Sequence, residues 1–265
     1  MTSVARTSHR IASPLVGLLE KLYPIAVVII AWELVARLKL VDPLFLPTFT
    51  GVVATMWNGI FGDGFLVVDA GYSLMRAFVG LVIGGGTGIL VGTLMGQFRP
   101  VRQFCDPLVS FLFPTPKMAL FPLIMVWLGL GESSKIAVVA ISAFFPVAIN
   151  TYTGIRNVDK FLIWNALSKG ASRLQLLALV LIPATIPYIF AGVRVAASFS
   201  FLIAVAVEML QSNNGLGYRI LFAKSTFEPE TMYAAVLLAA GLGFLVDRLV
   251  GMIGRRLLVW QETVE

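Results

Sequence analysis

The side chains able to do chemistry are few in this chain of 265 residues. It has one histidine, His9, and one cysteine, Cys105, so it cannot build an internal disulfide or a CxxC metal or redox site. His9 stands in a polar N-terminal stretch and reads as a solvated residue. No GxxxxGK[ST] loop is present to cradle a nucleotide phosphate, no HExxH to hold zinc, and no GxSxG to present a serine nucleophile. Glu132, Glu208, Glu228 and Glu230 are too dispersed to argue for a general acid and base. Gly215–Gly217 and Gly241–Gly243 are Gly-x-Gly pairs, weak signals among 24 glycines that chance and helix packing explain. Arg194 and Glu208 stand out by position, in the middle and at the end of one long apolar run, and Asn150 is a carboxamide inside another. Ionisable groups at membrane depth are costly and mark functional paths. Arg194 and Glu208 lie about 21 Å apart along a straight helix, so they do not pair directly. Arg194 needs a carbonyl, a carboxylate or a water-filled cavity. Glu208 reads either as a pathway carboxylate or as an interfacial one touching water.

The elements that must position these residues are membrane helices. Hydrophobic residues make up 58% of the chain and charged ones only 13%, against about 45–50% and about 25% in soluble domains. So few charges cannot cover that much apolar side chain in water. The net charge of +6 is scattered between apolar runs, which fits membrane topology better than a nucleic-acid face. The first 20 residues lack the apolar core of a signal peptide.

A spanning helix needs about 20 mostly apolar residues. Six stretches qualify: Leu22–Leu38, Ala77–Gly96, Phe104–Leu128, Ile136–Thr153, Leu176–Val207 and Met232–Met252. The third is broken by Pro114, Pro116 and Pro122. The fifth is too long for one straight crossing and predicts an interfacial turn near Pro183 and Pro187. This gives an all-α membrane protein with tails at 1–20 and 256–265 around a spanning domain at 21–255. With the N-terminus inside, the inner segments carry twelve Lys and Arg (Lys169, Arg173, Arg255 and Arg256 among them) against five outside, so both termini are expected in the cytoplasm.

Gly80, Gly84, Gly88, Gly92 and Gly96 recur every fourth residue and share one helix face, where a second backbone can come close. A moving contact and tight static packing both fit. Between the fourth and fifth spans, residues 154–175 form the one extended polar stretch of the inner side. Asp159 can cap a short helix carrying Phe161, Leu162, Ile163 and Trp164. Too short and polar to cross, this helix either lies on the membrane surface or docks on a protein.

The run Trp164-Asn165-Ala166-Leu167-Ser168-Lys169-Gly170-Ala171-Ser172, followed by Leu181-Ile182-Pro183, resembles the EAA signature of ATP-binding cassette importer permeases. That signature reads Glu-Ala-Ala, three residues, Gly-Ala, then Leu-Pro about a dozen residues on. Further blocks resemble the nitrate, sulfonate and taurine group of these permeases. They are Phe144 to Asp159, Pro122-Leu123 before Trp127-Leu128-Gly129, Pro187 to Arg194, and Val207-Glu208-Met209 before Gly215-Leu216-Gly217-Tyr218.

The resemblance implies a type I import permease of about six spans whose EAA loop, here about Asp159–Arg173, forms a coupling helix seated on an ATPase subunit. Its contact residues would be Trp164, Asn165, Ala166, Lys169, Gly170, Ala171 and Arg173, with Pro183 closing the motif. Two separate ATPase subunits would hold ATP and Mg²⁺, none of it bound by this chain. A second permease subunit, as a homodimer, would complete the pathway in a bacterial inner membrane, and an extracytoplasmic binding protein would deliver a small polar or anionic solute. Trp164 stands where the signature has glutamate, which replaces a charged contact with an aromatic one. Two rivals fit the composition. A secondary transporter driven by an ion gradient would want inverted repeats and mid-membrane charges, whereas the halves show no repeat and only Arg194 reads as deep. A scaffolding membrane protein would leave the glycine face and the broken third span without purpose.

Overall fold

The computed structural model describes the backbone of residues 14–257 and the side chains of 23–257. Most of both expected tails, His9 included, lies outside these residues. All regular structure among them is helical.

The helix α1 (Pro14–Arg37) holds most of the first expected span and leads to the short α2 (Phe49–Trp57). Thr48 caps α2 by accepting from the Gly51 N–H. The second expected span lies inside α3 (Phe65–Gln97), which begins twelve residues before Ala77. The third is broken, as its prolines require: α4 (Arg99–Leu112) and α5 (Phe121–Leu128) meet at 98°. The fourth lies in α6 (Glu132–Arg156), with Glu132 in its first turn and Arg156 in its last, each complementing the helix dipole. The short α7 (Lys160–Ser168) and α8 (Arg173–Leu176) follow. Then come α9 (Ile182–Leu210), α10 (Leu216–Ser225) and α11 (Pro229–Leu257), the last holding the sixth span.

The interfacial turn expected near Pro183 is absent. The chain runs on from Arg173 to Leu210 as one 38-residue apolar helical stretch. A widened π turn at Leu177–Leu181 feeds α9, and Pro183 falls in its first turn, where a missing N–H is tolerated. Four helical stretches (Phe65–Gln97, Glu132–Arg156, Arg173–Leu210 and Pro229–Leu257) are long and apolar enough to cross a bilayer, and five if α4 and α5 count as one bent span.

Helices α3, α6 and α9 form the core, and the glycine face sets how closely α3 approaches α6. A methyl group built on Gly88 would lie 2.8 Å from the Phe144 carbonyl oxygen, and one on Gly92 would lie 2.8 Å from Thr151 Cβ. A methyl group at Gly80, Gly84 or Gly96 would meet Val139, Ala140 or Ile155. Backbone faces backbone at Gly84, Gly88 and Gly92, leaving no room for side chains between them. Gly86 lies off this face, with nothing within 4 Å of an added methyl. Gly88→Leu should therefore lower the melting temperature of the purified protein, by the equivalent of about 1–3 kcal/mol of overpacking. Gly86→Ala should be neutral or gain up to about 1 kcal/mol. Equal melting curves for Gly88→Leu and the wild type would mean that the two helices separate freely.

Candidate functional site

The EAA-like loop is organised by three helix caps. Asp159 Oδ1 accepts from the Phe161 N–H at 2.8 Å and starts α7. At its end the Ala171 N–H donates to the Ala166 carbonyl at 3.1 Å and the Gly170 N–H to the Leu167 carbonyl at 2.9 Å. This pair of bonds is a Schellman cap, which puts its glycine in the left-handed region. Gly170 has φ +81°. Ser172 and Gln175 then form a capping box for α8. The Gly-Ala of the signature is thus a stop signal, and α7 is shorter than the span Asp159–Arg173 that the resemblance implied.

This loop shows large apolar side chains to its surroundings, beside basic and polar ones. Phe161 is 72% exposed and Trp164 59%, and their rings meet edge to face with centroids 5.7 Å apart. Asn165, Lys169, Arg173 and Pro183 are exposed too, while Ala166 and Ala171 are partly covered. Nothing lies within 4 Å of a methyl group added at Gly170, so its demand within this chain is conformational.

At the opposite end of α6 and α9, charges that are dispersed in the sequence converge. Arg76, fully buried on α3, donates from Nε and Nη2 to both oxygens of Glu132 at 2.6 and 2.7 Å. Its Nη1 donates to Glu208 Oε1 at 2.6 Å and to the Asn214 carbonyl at 3.0 Å, and Nη2 also reaches the Asn214 side chain. Ser73 Oγ and the Gly217 N–H donate to Glu208 Oε2 at 2.7 and 3.0 Å. Asp69 accepts from the Gly215 N–H and from Arg219 Nε, and Lys135 joins Glu132 at 3.3 Å. Three cations (Arg76, Lys135, Arg219) face three carboxylates (Asp69, Glu132, Glu208), so the cluster is neutral.

This arrangement adds to the sequence reading in three places. Glu208 is 1% exposed, so it is not an interfacial carboxylate touching water. Glu132 and Glu208, too dispersed by sequence to argue for a general acid and base, are both held by one guanidinium as ion-pair partners. The Gly215–Gly217 pair is required by geometry: a methyl group on Gly215, at φ +103°, would lie 2.6 Å from Glu208 Oε1, and one on Gly217 would strike the Val205 carbonyl. Asp69, Ser73 and Arg76 escaped the sequence reading. Their signal was the i, i+4, i+7 spacing, which continues into the glycine face from Gly80.

Of the other pathway candidates, Asn150 is half buried, and its Nδ2 donates to the Pro146 carbonyl at 2.8 Å. Gly192 of α9 packs on it: a methyl group there would lie 2.9 Å from Asn150 Cβ. Arg194 has a carboxylate partner. Its Nε and Nη2 donate to the two oxygens of Asp247 on α11, each at 3.2 Å. Arg194 is therefore one member of an exposed pair on the α9–α11 surface, not the deep charge the sequence suggested; the buried cation is Arg76.

Long apolar helices packed through α3, α6 and α9 make this a helical membrane protein. The chain belongs to the family of binding-protein-dependent transport system inner membrane components, whose model matches residues 84–259. It is 36% identical over 244 residues to a protein of Methanocaldococcus jannaschii named as an ABC transporter permease, covering 91% of each chain. It is 32% identical over 245 residues to the taurine transport system permease protein of Escherichia coli, covering 91% of this chain and 89% of that one. A solved amino acid ABC transporter shares the fold with a TM-score of 0.63 at 17% identity, over 76% of this chain and 98% of that one. The chain is thus a permease subunit of an ATP-binding cassette importer, and hydrolysis belongs to a separate subunit.

Proposed function

We propose that the chain forms one half of a six-span-per-subunit translocation pathway and couples it to ATP hydrolysis through α7. The carrying observation is α7 itself: a nine-residue helix, fixed by caps at both ends, that exposes Phe161, Leu162, Trp164 and Leu167. Exposed aromatic side chains on a rigid element suit a protein groove, since large aromatics are the common anchors of interfaces. The partners are two ATPase subunits that hold ATP and Mg²⁺, a second copy of this permease, and an extracytoplasmic binding protein. ATP binding closes the ATPases, α7 carries the motion, and the pathway opens outward; hydrolysis returns it inward. Each step needs differential binding to the two states. The taurine permease relative supports a small anionic or zwitterionic solute. An ion-gradient-driven transporter would give α7 no partner.

Two measurements test this reading. An ATPase subunit should co-purify with the permease and be stimulated by the binding protein. With Cys105 replaced by serine, Lys169→Cys should resist an impermeant thiol reagent added outside sealed cells and react in inverted vesicles. Labelling from outside would invert the orientation and remove α7 from the ATPase side.

A further inference from the structure

The break in the third apolar run carries a lysine without a counter-ion. Lys117 follows Pro114 and Pro116 at the 98° bend between α4 and α5. Two cavities meet at it. One of about 550 Å³ is lined by Thr87 and Phe144, and one of about 310 Å³ by Thr115, Ser142 and Phe199. Phe144 and Phe199 sit near the middles of α6 and α9, so the lysine lies at mid-span. Both volumes fall within about 300–1,000 Å³, the usual range for small-ligand pockets.

The Lys117 ammonium donates to the Phe113 carbonyl and lies 5.0 and 5.2 Å from the ring centroids of Phe113 and Phe145. It forms no ion pair among the described residues, whereas Arg76, Lys135, Arg194 and Arg219 each have a carboxylate. The hydroxyls of Thr87, Thr115 and Ser142 donate to carbonyls of their own chain, leaving Lys117 the one charged donor on either cavity wall. An ammonium has three N–H groups, so two remain after the Phe113 carbonyl. A cation at this depth is costly and marks a functional path by default, and broken helices at mid-membrane hold solutes in secondary transporters. We propose that Lys117 is the anion-recognising group of the pathway, taking the oxyanion head of a small solute (a sulfonate, nitrate or carboxylate) as it passes. A single flexible ammonium holds an anion without trapping it, which passage requires. This rests on the import-permease reading and narrows its solute to anions.

The test uses the complete complex with Cys105→Ser and Thr115→Cys, read on this chain by mass spectrometry. The probes are 2-sulfonatoethyl methanethiosulfonate, its trimethylammonium counterpart and the neutral methyl reagent. The sulfonate reagent should modify position 115 faster than the cationic one, on the order of tenfold. Lys117→Arg should keep that preference, and Lys117→Met and Lys117→Gln should both abolish it. Ethanesulfonate or nitrate should slow the neutral reagent only where a cation stands at 117. An unchanged preference in Lys117→Met and Lys117→Gln, or a thiol that no reagent reaches, overturns the assignment. Co-purification of the ATPase is read separately, so failure here leaves the importer reading standing.

Discussion

Replacing Arg76 by methionine should cost about 3–5 kcal/mol and leave little folded permease. The guanidinium is fully buried and is the shared donor for Glu132, Glu208 and Asn214. Without it two carboxylates remain, one of them, Glu208, enclosed by α3, α9 and the Gly215 turn. Burying an unpaired charge is far costlier than losing a surface pair. Lysine should rescue poorly, because it cannot offer the two parallel N–H groups that meet Glu132. Adding Glu208→Gln to Arg76→Met should recover part of the loss, since the amide is neutral; the coupling shows in a double-mutant cycle. The readouts are monodisperse yield and melting temperature in detergent. A drop below about 1 kcal/mol for Arg76→Met, the scale of an exposed pair, would mean that water reaches the cluster. The Asp69–Arg219 pair tests how far the network extends: Asp69→Asn should cost less, because its Gly215 contact survives in the amide.

Gly170→Glu should leave the permease inserted and folded while abolishing the stimulation of its ATPase partner. Two effects separate cleanly at this position. At φ +81° any side chain carries a left-handed penalty of about 1–2 kcal/mol, and asparagine bears it best. An added side chain meets open space within this chain, so any further loss must come from a partner. Gly170→Asn should therefore retain most coupling if the glycine serves only the Schellman cap, and fail along with Gly170→Glu if the turn packs on the ATPase. Trp164→Ala removes an exposed aromatic and should weaken docking by about 2 kcal/mol or more if it is a contact anchor. The measurement is binding-protein-stimulated ATPase activity of the reconstituted complex beside expression level. Normal stimulation in both Gly170→Glu and Trp164→Ala would assign α7 to the membrane surface.

Composition alone determined that this chain lives in a membrane, because 58% apolar residues cannot be screened by 13% charged ones. Apolar run length placed the bodies of α3, α6 and α11, since the bilayer fixes how long a crossing must be. The four-residue glycine period identified the close-packed face of α3, and proline spacing identified the bend between α4 and α5. The caps of α7 and α8 are equally local: Asp159, Gly170 and Ser172 act on backbone groups a few residues away. Residues that meet across distance were another matter. Glu132 and Glu208 lie 56 and 132 positions from Arg76, and a helical period says which face they share without saying which helix it will meet. The turn expected at Pro183 became a π turn because the preceding helix could widen instead of ending. The partner of Arg194, Asp247 on α11, was set by the packing of α9 on α11, and the two cavities at Lys117 by the bend that turns α5 back against α6. Only the tertiary structure decided which charges are paired and with which partner, because pairing depends on the azimuth and depth at which separate helices pack.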